Sequence, residues 1–328
     1  MAQPLRIGTL GAAMITPNAL TDPASKNEDV VVVAVAARDR ARAETFASRH
    51  GIETVYDSYD DVIADPTLDA IYNPLPISHH REYSIKALRS GKHVLCEKSF
   101  SLNASEAREM AAVGDETGLV LIEAFHYRYH PVFHKALEIV DSGVLGKLQH
   151  IDAQFIVGTP NKENIRMIYE TGGGATMDMG CYPISWIRHI TRQEPRVTNA
   201  TAVEGDPQID LSLEVEYEFD DGLTAKTTGA MNQRTFAADM TVSGSNGELY
   251  VRNPLVPQHG NQVKLTIGGS VEFDEELTRR PTYEYQLEVF VDAVRNGTSM
   301  PTDAHDAIKQ MEVIDAAYTA AGLKPRGT

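Results

Sequence analysis

Three side chains in this sequence have the types and spacing for proton transfer. Lys98 ends the run Gly91-Lys92-His93-Val94-Leu95-Cys96-Glu97-Lys98, which puts an amine at the mouth of an apolar strand. Asp178 and Tyr182 stand four residues apart behind Gly172-Gly173-Gly174, a spacing that places both on one face of a helix whose start the glycines free. A phenol titrates near about 10 when isolated, and a neighbouring ammonium favours its phenolate and brings it toward working pH. Tyr182 is therefore the expected acid/base, taking a proton from a hydroxyl and returning it in the reverse direction. Asp178 would hold a substrate hydroxyl, and Lys98 would polarise the reacting oxygen or share the proton. The plainer alternatives are a surface lysine after a strand, and a tyrosine packed on a helix with an aspartate near its positive end.

Near the N-terminus, Leu5 to Leu10 is a short apolar strand that runs into Gly11-Ala12-Ala13-Met14-Ile15-Thr16. This is a degenerate Gly-x-Gly-x-x-Gly fingerprint, with Ala13 and Thr16 where the second and third glycines would stand. Gly11 permits the tight turn, and Ala13 is small enough for the backbone to approach a pyrophosphate at a helix N-terminus. Alone the motif is weak, since a small-residue turn also packs helix on sheet. The second strand ends in Ala36-Ala37-Arg38-Asp39, with no acid directly at its end to read a ribose 2′-hydroxyl. Arg38, with Arg42 one helical turn on, instead suits a 2′-phosphate and so NADP, with NAD as the lesser choice. The alternative is a solvated helix start capped by Asp39.

The elements that must position these residues fall into two regimes. Through about residue 125, short β-branched runs alternate with polar, Ala-rich helical stretches, the pattern of parallel βαβ units. Strands are predicted at 5–10, 30–36, 70–73, 93–96 and 120–123, with helices at 40–50, 58–64, 80–90 and 104–117. Such a doubly wound sheet binds its nucleotide across the carboxyl ends of the strands, where Gly11, Pro74 and Lys98 fall. After Pro131 a helix to about 140 is followed by alternating runs at 148–157, 211–219, 223–228, 240–242, 249–251 and 263–267. Turns at Asp220-Asp221-Gly222 and Ser245-Asn246-Gly247 separate some of them, as an antiparallel sheet requires. Helices at 282–295 and 303–321 close the chain. The fold class is thus α/β, with a dinucleotide-binding Rossmann domain over 1–125 and a substrate-binding and oligomerisation domain over 126–328. The final helix is allowed to pack back on the first domain.

A chain of 328 residues with 42% hydrophobic and 23% charged residues suits two folded domains rather than disorder. A net charge of −16 and no basic stripe argue against nucleic acid. Cys96 and Cys181 are too few and too far apart for a disulfide framework and fit a reducing compartment. The first strand begins within a few residues, leaving no room for a leader, and the longest apolar run, Val30 to Ala37, is too short for a bilayer. The expected place is the cytoplasm, with no membrane partner. His126, His130 and His134 have four-residue spacing, but Pro131 interrupts a continuous helix and no further ligand accompanies them, so no metal is expected.

Taken in order, Gly8-x-x-Gly11-x-Ala13, Asn73-Pro74 with Ser78-His79, the run Gly91 to Lys98, Glu123-Ala124 with Arg128 and His130-Pro131, and Gly172-Gly173-Gly174-Ala175-x-x-Asp178-x-Gly180-Cys181-Tyr182 span the chain. Together they resemble the glucose–fructose oxidoreductase / inositol dehydrogenase (Gfo/Idh/MocA) family. Tyr rather than His four residues after the Asp is similar to the branch with dimeric dihydrodiol dehydrogenases and NADP-dependent xylose dehydrogenases. The resemblance implies a Rossmann domain followed by an α/β domain with a large open, mainly antiparallel sheet that pairs with another subunit. An apolar open face would call for such a homodimer or homotetramer. The resemblance places the cofactor against Gly8, Gly11, Ala12, Ala13, Met14, Ile15, Arg38, Asn73, Pro74, Leu75, His79, Glu97, Lys98 and Arg128. Tyr127, Asn164 and Arg166 are softer substrate candidates, each equally readable as a loop residue.

Lys98 matches the family's catalytic lysine in a Glu-Lys-Pro motif that here reads Glu97-Lys98-Ser99. The peptide at that place is commonly cis in the family, and with Ser99 both isomers stay open. The implied activity is NADP-dependent hydride transfer at a CH–OH group of a sugar, cyclitol or dihydrodiol, with aldose 1-oxidation first. Reduction of a keto-sugar and oxidation of a trans-dihydrodiol use the same residues. A non-catalytic NADP(H)-binding sensor is the other class, and retention of Lys98, Asp178 and Tyr182 together speaks against it.

Overall fold

The computed structural model describes residues 3–328 and divides the chain into two compact units. The first holds the chain through Phe125 together with Tyr283–Ile308, and the second holds His126–Thr282 with Lys309–Thr328.

The first unit is built on six strands, β1 (Leu5–Leu10), β2 (Val30–Ala36), β3 (Thr54–Tyr56), β4 (Ala70–Asn73), β5 (His93–Cys96) and β6 (Leu121–Glu123). They form one sheet in the order β3-β2-β1-β4-β5-β6, and every pair is parallel. β4 is buried along its whole length and β2 along most of it, which is why they read as near-continuous apolar runs. A short helical segment, Pro17–Thr21 continuing into α1 (Asp22–Ala24), follows β1. It is succeeded by α2 (Arg40–His50), α3 (Tyr59–Ala64), α4 (His80–Arg89) and α5 (Ala104–Thr117). Local chemistry sets their starts, since Asp39, Ser58 and Asn103 each accept a backbone N–H in the first turn. The strand order reverses between β1 and β4, so the loops after these two strands flank the switch point where doubly wound sheets take their ligands.

The second unit carries eight strands, β7 (Leu148–Ile156), β8 (Arg196–Glu204), β9 (Asp210–Glu218), β10 (Thr224–Ala230), β11 (Ala237–Gly244), β12 (Gly247–Arg252), β13 (Gln262–Ile267) and β14 (Ser270–Glu275). Their order is β14-β13-β12-β11-β7-β10-β9-β8, antiparallel throughout except for the parallel pair β7–β10. On one face Met240, Ala153, Thr227 and Val215 stand in register and are buried. There the sheet is covered by α6 (Pro131–Asp141) and by α7 (Cys181–Thr191), which continues a π-helical turn, Thr176–Gly180. The opposite face is not the apolar surface expected above. Thr241, Asp152, Lys226 and Glu216 stand in one row and Asp239, Gln154, Thr228 and Glu214 in the next, all wholly or partly exposed. The alternation of apolar and polar residues therefore satisfies water on that side without a partner.

Two further helices, α8 (Thr282–Asn296) and α9 (Ala304–Ala320), close the chain. Among the described residues no helix is long and apolar enough to cross a membrane, and no cluster of His, Cys, Asp and Glu could hold a metal ion.

Candidate active site

In the first unit the relevant loops are held from inside. Gly11 has φ +102° and donates its N–H to Ala36 O at 2.7 Å, turning the chain away from β1 in a conformation that a side chain resists. Ala12 is buried with Ala37 and Ala43, and its carbonyl accepts from Arg42 Nη2 at 2.6 Å. Arg42 thus braces the turn, while Arg38 stands exposed beside it. Ala13 and Ile15 are half-buried, and Met14 is 92% exposed at the tip. Gly8 has a packing role. It lies inside β1, where a Cβ would press on Leu68 Cδ1 at 2.6 Å and Val62 Cγ1 at 2.7 Å, so it lets the α3 region pack on the strand.

Asn73, fully buried at the end of β4, donates to His80 O at 3.3 Å and Ser84 Oγ at 3.1 Å. It fastens the strand to α4. Pro74 and Leu75 are buried behind it, and His80 bridges the Leu75 carbonyl (Nε2, 2.8 Å) and the Ser99 carbonyl (Nδ1, 2.9 Å). A neutral ring has only one N–H for these two acceptors, yet burial outweighs both carbonyls and pushes the His80 pKa down to about 4. His79, the residue picked from the sequence, is exposed and stacks on Tyr83. His80 is the one that ties the loop after β4 to the loop after β5. Its only sequence signal was its place next to His79. Glu97 is buried and accepts from Tyr72 Oη at 2.7 Å, and Lys98 follows half-buried, with the Lys98–Ser99 peptide cis.

These residues fit a dinucleotide. The Gly11 turn and the loop after β4 flank the switch point, the turn residues are small, and Thr16 Oγ1 is buried at the start of the short helix with no hydrogen-bond partner among the described residues. Gly11 to Ile15 would hold the pyrophosphate, and Arg38 a 2′-phosphate.

In the second unit the Asp178–Tyr182 segment is fixed by a buried charge. Asp210 Oδ2 accepts from Thr176 N at 2.7 Å and Thr176 Oγ1 at 2.6 Å, pinning the start of the π turn. Its Oδ1 accepts from Arg326 Nη2 at 2.7 Å and Tyr318 Oη at 3.0 Å, and Arg326 Nε donates to Gly173 O at 2.7 Å. Asp210 and Arg326 are both fully buried, and burial pushes the Asp210 carboxyl above its usual range against these partners. This is why glycine is needed before the helix. Gly174 has φ +124°, and a Cβ there would collide with Asp210 and Arg326. Neither Asp210 nor Arg326 carried a signal in the sequence.

Asp178 forms a hydrogen-bonded ion pair with Arg166, so two of the proposed site residues meet. Asn164 instead turns its side chain to the backbone, accepting from Arg166 N at 3.0 Å. Tyr127 is fully buried with its hydroxyl on Ser185 Oγ at 2.7 Å, and it supports α7 rather than facing outward. Arg128 donates to His189 Nδ1 at 2.8 Å within the second unit. Tyr182 is 5% exposed, its ring edge-on to Phe155 and His126, and its hydroxyl lies 3.1 Å from His126 Nε2. The sequence pointed to His126 only as a doubtful metal ligand. Here it is a partner of the expected acid/base.

Residues 5–125 match the profile described as oxidoreductase family, NAD-binding Rossmann fold, and residues 133–250 match the GFO/IDH/MocA C-terminal domain. The chain is 32% identical over 321 residues to D-xylose 1-dehydrogenase (NADP(+)) 2 of Haloferax volcanii, covering 97% of each. It is 29% identical over 323 residues to the dTDP-3,4-didehydro-2,6-dideoxy-alpha-D-glucose 3-reductase of Actinomadura kijaniata, covering 98% of this chain and 96% of the reductase. Among solved structures, the 3-ketoreductase KijD10 of Actinomadura kijaniata, in complex with NADP and TDP-benzene, superposes with a TM-score of 0.90 at 26% identity, over 97% of this chain and 98% of that one. The chain belongs to the Gfo/Idh/MocA family of oxidoreductases.

Proposed function

We propose that the protein is an NADP-dependent oxidoreductase acting on a sugar or polyol CH–OH group, with aldose 1-oxidation as its first activity. The observation that carries this reading is the Tyr182 hydroxyl, held by a buried ring nitrogen on a helix that also presents the Asp178–Arg166 pair. A bound nicotinamide would supply the hydride chemistry, as acceptor in oxidation and donor in reduction. Tyr182 Oη takes the hydroxyl proton, Asp178 orients a neighbouring hydroxyl through its Arg166-braced carboxylate, and Lys98 polarises the reacting oxygen. The exposed Arg38 selects the 2′-phosphate.

Similarity to the 3-ketoreductase favours a second substrate reading, reduction of a keto-sugar, which uses the same proton path backwards. Solved variants of that reductase replace a lysine and a tyrosine that stand as far apart in its chain as Lys98 and Tyr182 do here. Cys96 and Cys181 are buried and in no disulfide, which suits the cytoplasm. Assembly as a homodimer or homotetramer through the open sheet rests on the family resemblance, with polar rather than apolar contacts.

Fluorescence titration with NADP(H) and NAD(H), then absorbance assays on aldoses, cyclitols, dihydrodiols and keto-sugars, test this. Tyr182→Phe is expected to lower kcat by about 10²–10⁴-fold while NADPH still binds. Full activity in that variant would remove Tyr182 from the acid/base role, and turnover on none of these compounds despite tight NADPH binding would move the protein to a cofactor-binding sensor.

A further inference from the structure

Resting on the acid/base reading of Tyr182, we infer that His126 is a positioning residue that sets the direction of the Tyr182 proton and receives it during turnover. The hydrogen bonds around the ring decide which nitrogen carries its hydrogen. Leu255 O can only accept, and Thr282 Oγ1 donates to it at 3.2 Å. Thr282 has one hydroxyl proton. At 2.7 Å from His126 Nδ1 its oxygen must therefore accept, which places the hydrogen on Nδ1. Nε2 is then the lone-pair nitrogen, and at 3.1 Å the Tyr182 O–H donates to it. His126 is 3% exposed and Thr282 1%, so bulk water does not compete for these contacts.

This arrangement gives Tyr182 a route that never requires a free phenolate. As the substrate O–H bond breaks and its proton joins Tyr182 Oη, the original Tyr182 O–H bond breaks and that proton joins His126 Nε2. The ring becomes an imidazolium, supported through Nδ1–H by the Thr282 hydroxyl and the Leu255 carbonyl behind it. After product leaves, Tyr182 gives its proton to water and takes the other back from Nε2. In the reducing direction the same two bonds form and break in reverse order. The neutral ring and phenol are restored in every cycle.

The geometry is read first without turnover, from ¹⁵N shifts of His126 in the cofactor-free protein. A protonated Nδ1 and an imine-type Nε2 are expected, and Thr282→Val should shift the hydrogen toward Nε2. Turnover is then measured with D-xylose and NADP+, and with the best substrate of the panel above. His126→Gln offers an oxygen to orient the phenol but cannot take its proton. His126→Met offers neither. Both are expected to lose about 10²-fold in kcat with KM and NADPH affinity unchanged. A hydrogen on Nε2 in the unaltered protein overturns the relay, as does wild-type kcat in His126→Gln beside an inactive Tyr182→Phe. Wild-type kcat in Tyr182→Phe instead overturns the acid/base reading itself, and the relay with it.

Discussion

The two units fasten their functional segments by opposite means. In the first, neutral groups tie loop to loop: Asn73 amide to the His80 carbonyl and Ser84, and the uncharged His80 ring between the Leu75 and Ser99 carbonyls. In the second, a fully buried ion pair, Asp210 with Arg326, joins the start of the Tyr182 helix to the end of the chain. Neutral clamps avoid the cost of burying a charge, and those built on a histidine ring weaken when the ring takes a proton. A buried ion pair is costly to desolvate and fails when either partner is removed.

The largest effect should therefore come from the second unit. Asp210→Ala leaves the Arg326 guanidinium buried without its carboxylate and is expected to cost about 3–5 kcal/mol in urea unfolding. A loss below about 1 kcal/mol would mean that neither the charge nor the hydrogen bonds of Asp210 hold the segment. Acid tests the neutral side of the comparison, and both units contribute. Burial lowers the pKa of His80, and of His130, to about 4. His130 caps α6, its Nδ1 accepting from Val132 N at 3.1 Å while Nε2 faces the Arg280 carbonyl. The unfolded chain binds these protons near pH 6.5 and the folded one only near 4, so stability is full above about 6.5 and lost as pH falls toward 4. Each residue contributes up to roughly 3 kcal/mol across that window. His130→Asn keeps an oxygen for the cap and should flatten part of the pH dependence seen by urea unfolding between pH 7 and 5.

Where charge in the first unit is exposed, it should act on the ligand and not on the fold. Arg38→Ala is expected to weaken NADPH binding by about 10–100-fold and leave NADH binding and the unfolding midpoint alone. Equal losses for both cofactors would move Arg38 from the 2′-phosphate to the general field. The smallest effect belongs to the outward sheet face, where Lys226 pairs with Glu214 at 2.8 Å. Lys226→Ala should cost about 0–1 kcal/mol, as exposed pairs do. A shift in sedimentation behaviour with that variant would identify this polar face as a subunit interface.

Most of the fold was legible. The interior strands of both sheets could be read from their patterning, and α2 and α5 were read to the residue because Asp39 and Asn103 start them and Gly51 and Gly118, both at positive φ, end them. The three unread strands, β3, β8 and β14, are all sheet edges. An edge strand has one neighbour and much exposed surface, so Arg196–Glu204 and Ser270–Glu275 need no apolar alternation and show little. The polar outward face was hidden for a related reason, since strand limits alone do not say which residues of different strands share a row.

The site divides the same way. Asp178 and Tyr182 were visible as candidates because few side chains handle protons and their spacing is local, and Lys98 because it ends an apolar strand run. His126 and Thr282, 156 positions apart, and Asp210 and Arg326, 116 apart, meet only in the folded chain. By itself the sequence determined the two regimes of secondary structure, the small-residue turn after β1, and the candidate proton-handling groups, all of which depend on neighbours within a few residues. Only the tertiary structure decided which buried partners these groups have. A hydrogen bond reads distance in space, and the chain brings remote residues to 3 Å only when the whole unit is packed.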